Sequence, residues 1–338
     1  MFRAVDGPDG SSADFADPRL GFGYTRTGAN SAFSADAALS SSEIGFLRPF
    51  EDFLDAGGVF VPPDDLDDLQ GTGTRLSRSL AFELALGQEG PFGATFSAAI
   101  SDLRYRDTSA ANLVDTRRSS LGVDLRFALS EVAEATLGLG YDRLEADEAA
   151  DRETTDLGLD LALDAPRGTL TFAAFAAEAP EGTRFGLEAG RSYDLPRGRL
   201  TFSLGATRDA AGETALTGSF GYLQELSEDS ALQLSARRSV GSGNGGERLI
   251  TSLSADYSRP LTALIGLDFD AAFVRSEDTG TATTTDTVSL GTSLGYALAE
   301  DWSLNLGYRY QMRDETGDGS AADNALFLSL QRSFTNRP

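Results

Sequence analysis

The chain of 338 residues contains no cysteine and no histidine, and every one of its basic residues is arginine. Without these side chains it can form neither a disulfide nor a zinc or haem site with histidine or cysteine ligands. The Ser-His-Asp, Cys-His and Ser-Lys nucleophilic arrangements are excluded for the same reason. Only carboxylate, tyrosine or arginine chemistry remains, so we predict a chain that is not an enzyme and that carries no cofactor and no metal ion.

Basic residues and long apolar runs are also scarce. There are 52 acidic residues against 28 basic ones, a net charge of −24, which disfavours nucleic acid as a partner. No stretch approaches the roughly 18 consecutive apolar residues of a transmembrane helix. The first residues, from Met1 to Pro8, show neither the basic nor the apolar region of an export signal. We therefore expect a piece of a longer precursor, or a mature chain with a new initiator methionine.

What the chain does contain is a repeated alternation of apolar with small or charged residues. The clearest example alternates Trp302, Leu304, Leu306, Tyr308 and Tyr310 with Ser303, Asn305, Gly307, Arg309 and Gln311. Successive strand side chains point to opposite faces of a sheet, so one face is apolar and the other polar. Segments of this kind predict strands at 76–87, 92–104, 119–129, 135–144, 154–163, 169–176, 185–193, 199–208, 214–223, 231–240, 249–258, 263–275, 287–298, 302–313 and 324–334.

A soluble β-sandwich shows the same period of two, so the connections between strands have to separate the two folds. Tight links such as 165–168 and 195–198 alternate with longer polar ones such as 107–118 and 277–286. This alternation is typical of outer-membrane barrels. We predict an all-β fold: a closed antiparallel up-and-down transmembrane β-barrel in the bacterial outer membrane, with short periplasmic turns and longer extracellular loops.

The predicted barrel covers residues 42–334, between an N-terminal segment of residues 1–41 and a C-terminal tail of residues 335–338. The N-terminal segment is rich in Gly, Ser, Ala and Asp, which is typical of a linker or plug, and the alanines of Ser31 to Leu39 allow a short helix. Glu43 to Leu54 supplies a first strand. The total is then about 16 strands, an even number within a possible range of about 12 to 16.

Six charged residues are expected to face the interior of the barrel: Asp124, Arg126, Asp160, Asp268, Asp270 and Arg309. A charge at the lipid midplane would cost about 2–4 kcal/mol, which favours the inward orientation. These side chains could line a pore and set its ion preference. Alternatively, they could form a static network of Asp–Arg pairs that fills the interior.

The last predicted strand carries Leu326, Leu328 and Leu330, followed by Phe334. This segment resembles the C-terminal strand of bacterial outer-membrane proteins, in which alternating apolar residues and a terminal aromatic residue serve as the assembly signal. The resemblance implies that outer-membrane lipids and the barrel-assembly machinery are partners of the chain.

A second resemblance lies in Phe46-Leu47-Arg48-Pro49-Phe50, followed by Asp52 and Leu54. It is similar to the first barrel strand of autotransporter translocator domains attached to subtilisin-like passengers. It implies that residues 1–41 are the end of a covalently linked passenger and its linker. The function expected first is therefore a translocator or anchor in Gram-negative secretion. The alternatives are a general diffusion porin, which the strand number and charged interior favour, and a soluble acidic β adhesin.

Overall fold

The computed structural model describes residues 2–7, 10–15, 18–44, 73–108, 113–147, 150–243, 246–278, 283–299, 302–317 and 319–332. Within these ranges no helix is long and apolar enough to cross a membrane. The strands are β1 Phe2–Gly7, β2 Gly10–Phe15, β3 Arg19–Thr27, β4 Ser31–Glu43, β5 Thr74–Leu86, β6 Phe92–Arg106, β7 Thr116–Ser130, β8 Ala133–Ala146, β9 Arg152–Ala165, β10 Gly168–Ala179, β11 Gly182–Leu195, β12 Gly198–Arg208, β13 Thr214–Ser227, β14 Ser230–Gly243, β15 Gly246–Pro260, β16 Ile265–Asp278, β17 Thr284–Ala299, β18 Trp302–Glu315 and β19 Gly319–Arg332.

Strands β3 to β19 form one closed barrel, and β1 and β2 pair with each other in a separate two-stranded sheet. Each barrel strand pairs antiparallel with the next strand along the chain, from β3·β4 to β18·β19. The predicted closed antiparallel barrel is confirmed, but its seventeen strands differ from the predicted even number of about 16, because residues 19–27 and 31–43 add two strands from the segment predicted as a linker or plug. Because every hairpin reverses the chain and the barrel has seventeen strands, β3 and β19 run in the same direction where the ring closes.

The N-terminal segment differs from its prediction. Residues 19–27 and 31–43 are barrel strands β3 and β4, so this part of the predicted linker or plug lies in the wall. Ser31 to Leu39 is a strand and not a helix, because pairing with a strand on each side outweighs the intrinsic helix propensity of its alanines. Of the predicted strand from Glu43 to Leu54, Glu43 ends β4 and residues 45–54 lie outside the described residues.

The two ends of the barrel are distinguished by their connections. At the turn end, defined by the connections that follow β3, β5 and every second strand after them, each connection has two to five residues. At the loop end, defined by the connections after β4, β6 and so on, the lengths vary from two residues after β14 to thirty after β4. The strands run further into the polar stretches of the loop end than predicted. Polar residues can continue a ladder beyond the hydrocarbon, where the apolar alternation stops.

The apolar face of the barrel points outward. Leu20 is 70% exposed, Leu204 is 68% exposed and Leu326 is 77% exposed, whereas the side chains buried most completely are Val274 and Ser289. A sandwich would bury such leucines between two layers, so the structure excludes that alternative. A continuous exposed apolar surface of this kind is matched by lipid hydrocarbon.

Charged residues on the outward face mark the edge of the apolar band at the loop end. Arg78 of β5 and Asp102 of β6 are cross-strand partners, one step beyond the Leu80–Ile100 pair. On β8, the outward Tyr141 is followed by Arg143, which forms an ion pair of 2.6 Å with Asp151. The strands therefore extend past the hydrocarbon at this end.

Candidate pore lining

The inner wall consists of the side chains that alternate with the exposed outward ones. All six predicted interior residues are among these inward-facing side chains: Asp124 and Arg126 on β7, Asp160 on β9, Asp268 and Asp270 on β16, and Arg309 on β18. Because at least six strands of the ring lie between β16 and either β7 or β9, the residues form two groups on different parts of the wall.

The first group is acidic and spans β7 to β11. Asp160 is the cross-strand partner of Ala173 on β10, and Ala173 is in turn the partner of Glu188 on β11. Asp160 and Glu188 therefore lie in one row across the strands. Asp124 lies in the adjacent row, since its partner on β8 is Gly138. The prediction did not include Glu188, although its position between the outward residues Leu187 and Ala189 was available in the sequence.

The second group lies on β15 to β18. Asp256 and Asp270 are direct cross-strand partners, and the same row continues through Gly291 to Arg309. Asp268 occupies the next inward row, between Ser258 and Ser293. The structure thus brings three predicted residues together and adds Asp256, which the sequence prediction missed.

Arg126 has a structural role in the wall. Its guanidinium donates hydrogen bonds to three carbonyl oxygens of the β5–β6 turn, those of Gly87 at 2.8 Å, Gln88 at 3.0 Å and Gly90 at 2.9 Å. It also forms an ion pair of 3.0 Å with Glu134. This side chain links two neighbouring hairpins at the turn end.

Several inward carboxylates lie flat against the wall because a glycine faces them on the next strand. The carboxylate of Asp270 occupies the space that a Cβ atom on Gly291 would need, and Asp156 is placed in the same way over Gly140. Any larger residue at these glycines would push the carboxylate away from its present position. The glycines therefore keep these acidic side chains close to the wall.

Inward arginines are concentrated near the loop end, where carboxylates pair with them. The ion pairs there are Arg118–Asp142 at 2.7 Å, Arg152–Glu181 at 3.0 Å, Arg184–Glu247 at 3.3 Å and Arg313–Glu315 at 2.8 Å. A cavity of about 350 Å³ lies among the first three of these arginines and is also lined by Leu144 and Phe175. Because each of these arginines has an acidic partner, their charge is largely offset within the loop end.

The size of the ring sets the space inside it. Seventeen strands spaced about 4.8 Å apart and tilted by about 40° enclose a ring roughly 30–35 Å across between backbones. Within the part of the chain that the structure describes, no group of three or more acidic side chains is arranged to hold a metal ion. The acidic rows form a charged lining on the inner wall.

Neither a protein-family model nor a curated protein sequence matches the chain. Solved structures with a similar fold include the copper transporter OprC, at 11% identity and a TM-score of 0.54, covering 95% of this chain and 64% of OprC. A mutant of the ferric enterobactin receptor PfeA from Pseudomonas aeruginosa matches at 10% identity and a TM-score of 0.51, covering 93% of this chain and 69% of the receptor. The siderophore receptor PirA from Acinetobacter baumannii matches at 8% identity and 0.51, covering 97% and 72%.

The chain thus spans less than two thirds of the length of OprC. At these identities the likeness concerns the fold, and it is the fold of outer-membrane transporter and receptor barrels. This is the predicted class of structure, and it agrees with the predicted location in the bacterial outer membrane. None of these three matches is an autotransporter or an enzyme.

Proposed function

We propose that the barrel is an outer-membrane channel that passes small hydrophilic solutes and prefers cations. The observation that carries this proposal is the pair of acidic groups on the inner wall: Asp124, Asp160 and Glu188 on one side, Asp256, Asp268 and Asp270 on the other. Rings of carboxylates favour cations, since they replace part of the ion's hydration by negative charge. This corresponds to the porin alternative from the sequence.

The arrangement of the arginines supports the same preference. The inward arginines near the loop end are paired with carboxylates, and Arg126 is occupied by turn carbonyls and Glu134. Arg309 shares the row of Asp256 and Asp270, and the six carboxylates outnumber it, so this part of the inner wall retains an excess of negative charge. Among the three similar structures described above, OprC is a copper transporter and the other two are receptors, so the proposed preference of this chain for cations is based on its inner wall and not on these proteins.

The translocator function remains a second proposal. Its specific support is the Phe46 to Phe50 motif, which lies outside the described residues, as does Phe334 of the predicted assembly signal. Leu326, Leu328 and Leu330 of that signal lie exposed on the outward face of β19. A translocator would need its linker inside the pore, whereas residues 19–27 and 31–43 pair within the wall. Any threading segment would have to precede β3.

Planar bilayers test the channel proposal. The full chain, refolded from detergent into the bilayer under a KCl gradient, should give discrete conductance steps and a reversal potential on the cation-selective side. The double variant Asp160→Asn with Glu188→Gln should shift that potential towards zero. Glu178→Gln is the matched control, because Glu178 is an exposed residue on the outward face of β10. Absence of conductance steps, or anion selectivity of the unmodified chain, would reject the proposal.

A further inference from the structure

We infer that the outward face of β9 to β12 binds one anionic glycerophospholipid. Its phosphate would lie on arginines at the turn end, and one acyl chain would lie in an apolar groove on the same strands. The inference depends on the barrel spanning a membrane but not on what passes through it. A failed test of the channel would therefore leave this site standing.

The first observation is a repeated sequence motif. Asp-x-Pro-Arg-Gly-x-Leu-Thr-Phe occurs at residues 164–172 and again at residues 194–202. Each copy forms a turn-end connection and starts the next strand, so the exposed side chains of Arg167 and Arg197 lie at the same end of neighbouring hairpins. Each copy also places a leucine and a phenylalanine on the outward face. Two cationic turns of similar sequence therefore lie on neighbouring hairpins at this end of the barrel.

The second observation is Arg191, which lies on β11 between these turns. It is on the outward alternation and donates a hydrogen bond of 3.0 Å to the carbonyl oxygen of Pro166. Its guanidinium lies 4.9 Å from the ring centroid of Tyr193, and that ring stacks with Phe202 at 6.2 Å. An arginine held over an interfacial aromatic residue is at the depth of lipid headgroups.

The third observation is the backbone at Arg167. Its φ of 62° lies in the left-handed region, where glycine or asparagine is favoured and a long side chain is strained. Gly168 follows immediately, so the turn carries a strained arginine although a glycine is adjacent. Backbone strain of this kind is found preferentially at binding sites. It supports a role for the Arg167 side chain beyond closing the turn.

The fourth observation is an apolar groove on the outward face, next to these arginines. It has a volume of about 510 Å³ and is lined on the outward face by Leu161, Phe172, Ala174, Leu187, Ala189 and Leu204, while Glu188 borders it from the inward alternation. The small side chains Ala174 and Ala189 form its floor between larger neighbours, and Ala189 is two residues from Arg191. A groove in the hydrocarbon layer that begins below a cationic rim suits an acyl chain attached to an anionic headgroup.

The charges around these three arginines determine which lipid headgroup the site prefers. Asp164 and Asp194, the acidic residues of the two motifs, lie on the inward alternation, and Asp194 pairs with Arg199 at 3.3 Å. In the described structure of β9 to β12, the turn end carries the exposed Arg167 and Arg197 in its two turns and Arg191 on the outward face, and the outward face there has no acidic side chain. The chain as a whole has a net charge of −24. A local cationic patch on such a chain complements a lipid phosphate.

Native mass spectrometry of the full refolded chain tests this site. The chain is released from detergent micelles that contain equal amounts of phosphatidylglycerol and phosphatidylcholine with the same acyl chains. We expect one phosphatidylglycerol to be retained in preference. Arg191→Gln should weaken its retention roughly tenfold, the loss expected for a charge-assisted hydrogen bond, whereas Arg191→Lys should keep most of it. Ala189→Phe, which fills the groove, should weaken it as well.

Two matched controls lie on β15, three strands along the ring from β12 and outside the proposed site. Arg259→Gln removes an exposed outward arginine at the turn end of β15, and Ala255→Phe enlarges an outward alanine of the same strand. Both should leave retention unchanged, and all variants should keep the circular dichroism of a β-barrel. Equal retention of the two lipids, or equal losses with Arg191→Gln and Arg259→Gln, would overturn the inference.

Discussion

The outward and inward sides of the same strands differ in where they place charge. On β9, the outward Leu157, Leu159 and Leu161 alternate with the inward Asp156 and Asp160. Neighbouring residues in the sequence thus meet opposite surroundings: the outward side excludes charge from its middle, and the inward side concentrates acidic residues there. The difference shows that alternation along the strand, and not local composition, decides the environment of each residue.

Arginines show the same contrast. Outward arginines such as Arg143 and Arg275 lie near the loop end, where Arg275 pairs with Asp286 at 2.7 Å. Inward arginines also lie away from the loop end, as Arg309 does in the row of Asp256 and Asp270. Water inside the barrel tolerates a charge at any depth, whereas hydrocarbon tolerates it only near the interface.

The largest effect is expected from moving a charge across the wall. Leu204→Arg places a charge in the middle of the outward face and should lower the free energy of unfolding by about 2–4 kcal/mol. Ser203→Arg, one residue away on the inward face, should change it by a small fraction of that. Denaturant titration of the barrel in lipid vesicles measures both. Equal losses for the two variants would contradict the assignment of the faces.

A smaller effect is expected from the arginine that fastens the turns. Arg126→Ala leaves three turn carbonyl oxygens and Glu134 without this donor, and should cost about 1–3 kcal/mol in the same titration. Arg199→Ala is the control, since the Arg199–Asp194 pair is exposed and such pairs contribute little. If the two variants were equally stable, the contacts of Arg126 between the two hairpins would not stabilise the barrel.

The smallest effect on stability, but a specific one on conduction, is expected at a glycine. Gly291→Ala should cost less than about 1 kcal/mol because the carboxylate of Asp270 can swing aside. That movement brings the charge nearer to the pore axis and should change the single-channel current. Gly266→Ala is the control, because no atom lies within 4 Å of its Cβ position. Identical currents for both variants would show that Asp270 does not face the conducting path.

The sequence predicted fifteen of the seventeen barrel strands, because each carries enough contrast between large apolar and small polar residues. Strands β3 and β4 were missed as barrel strands because this contrast is low in a segment rich in glycine, alanine and serine. Ala35 and Ala37 face outward on β4, yet alanine by itself favours a helix. Their assignment depends on the partner strands, which are distant in the sequence.

Alternation in the sequence indicated which residues face the interior, but not which of them are neighbours across the strands. Alternation alone places Asp160 and Asp270 on the inner face, but only the register shows that Glu188 and Asp256 share their rows. The three turn carbonyls bound by Arg126 could not be anticipated either, since they lie 36 to 39 residues away.

By itself, the sequence determined that this chain forms long strands with one apolar and one polar face, because a period of two needs no knowledge of partners. It also excluded the histidine and cysteine chemistry that the chain lacks. The tertiary structure alone decided that the ring has seventeen strands, that residues 19–43 belong to its wall, and which carboxylates and arginines become neighbours. Those features depend on strand pairing and closure, which join residues that the linear chain keeps far apart.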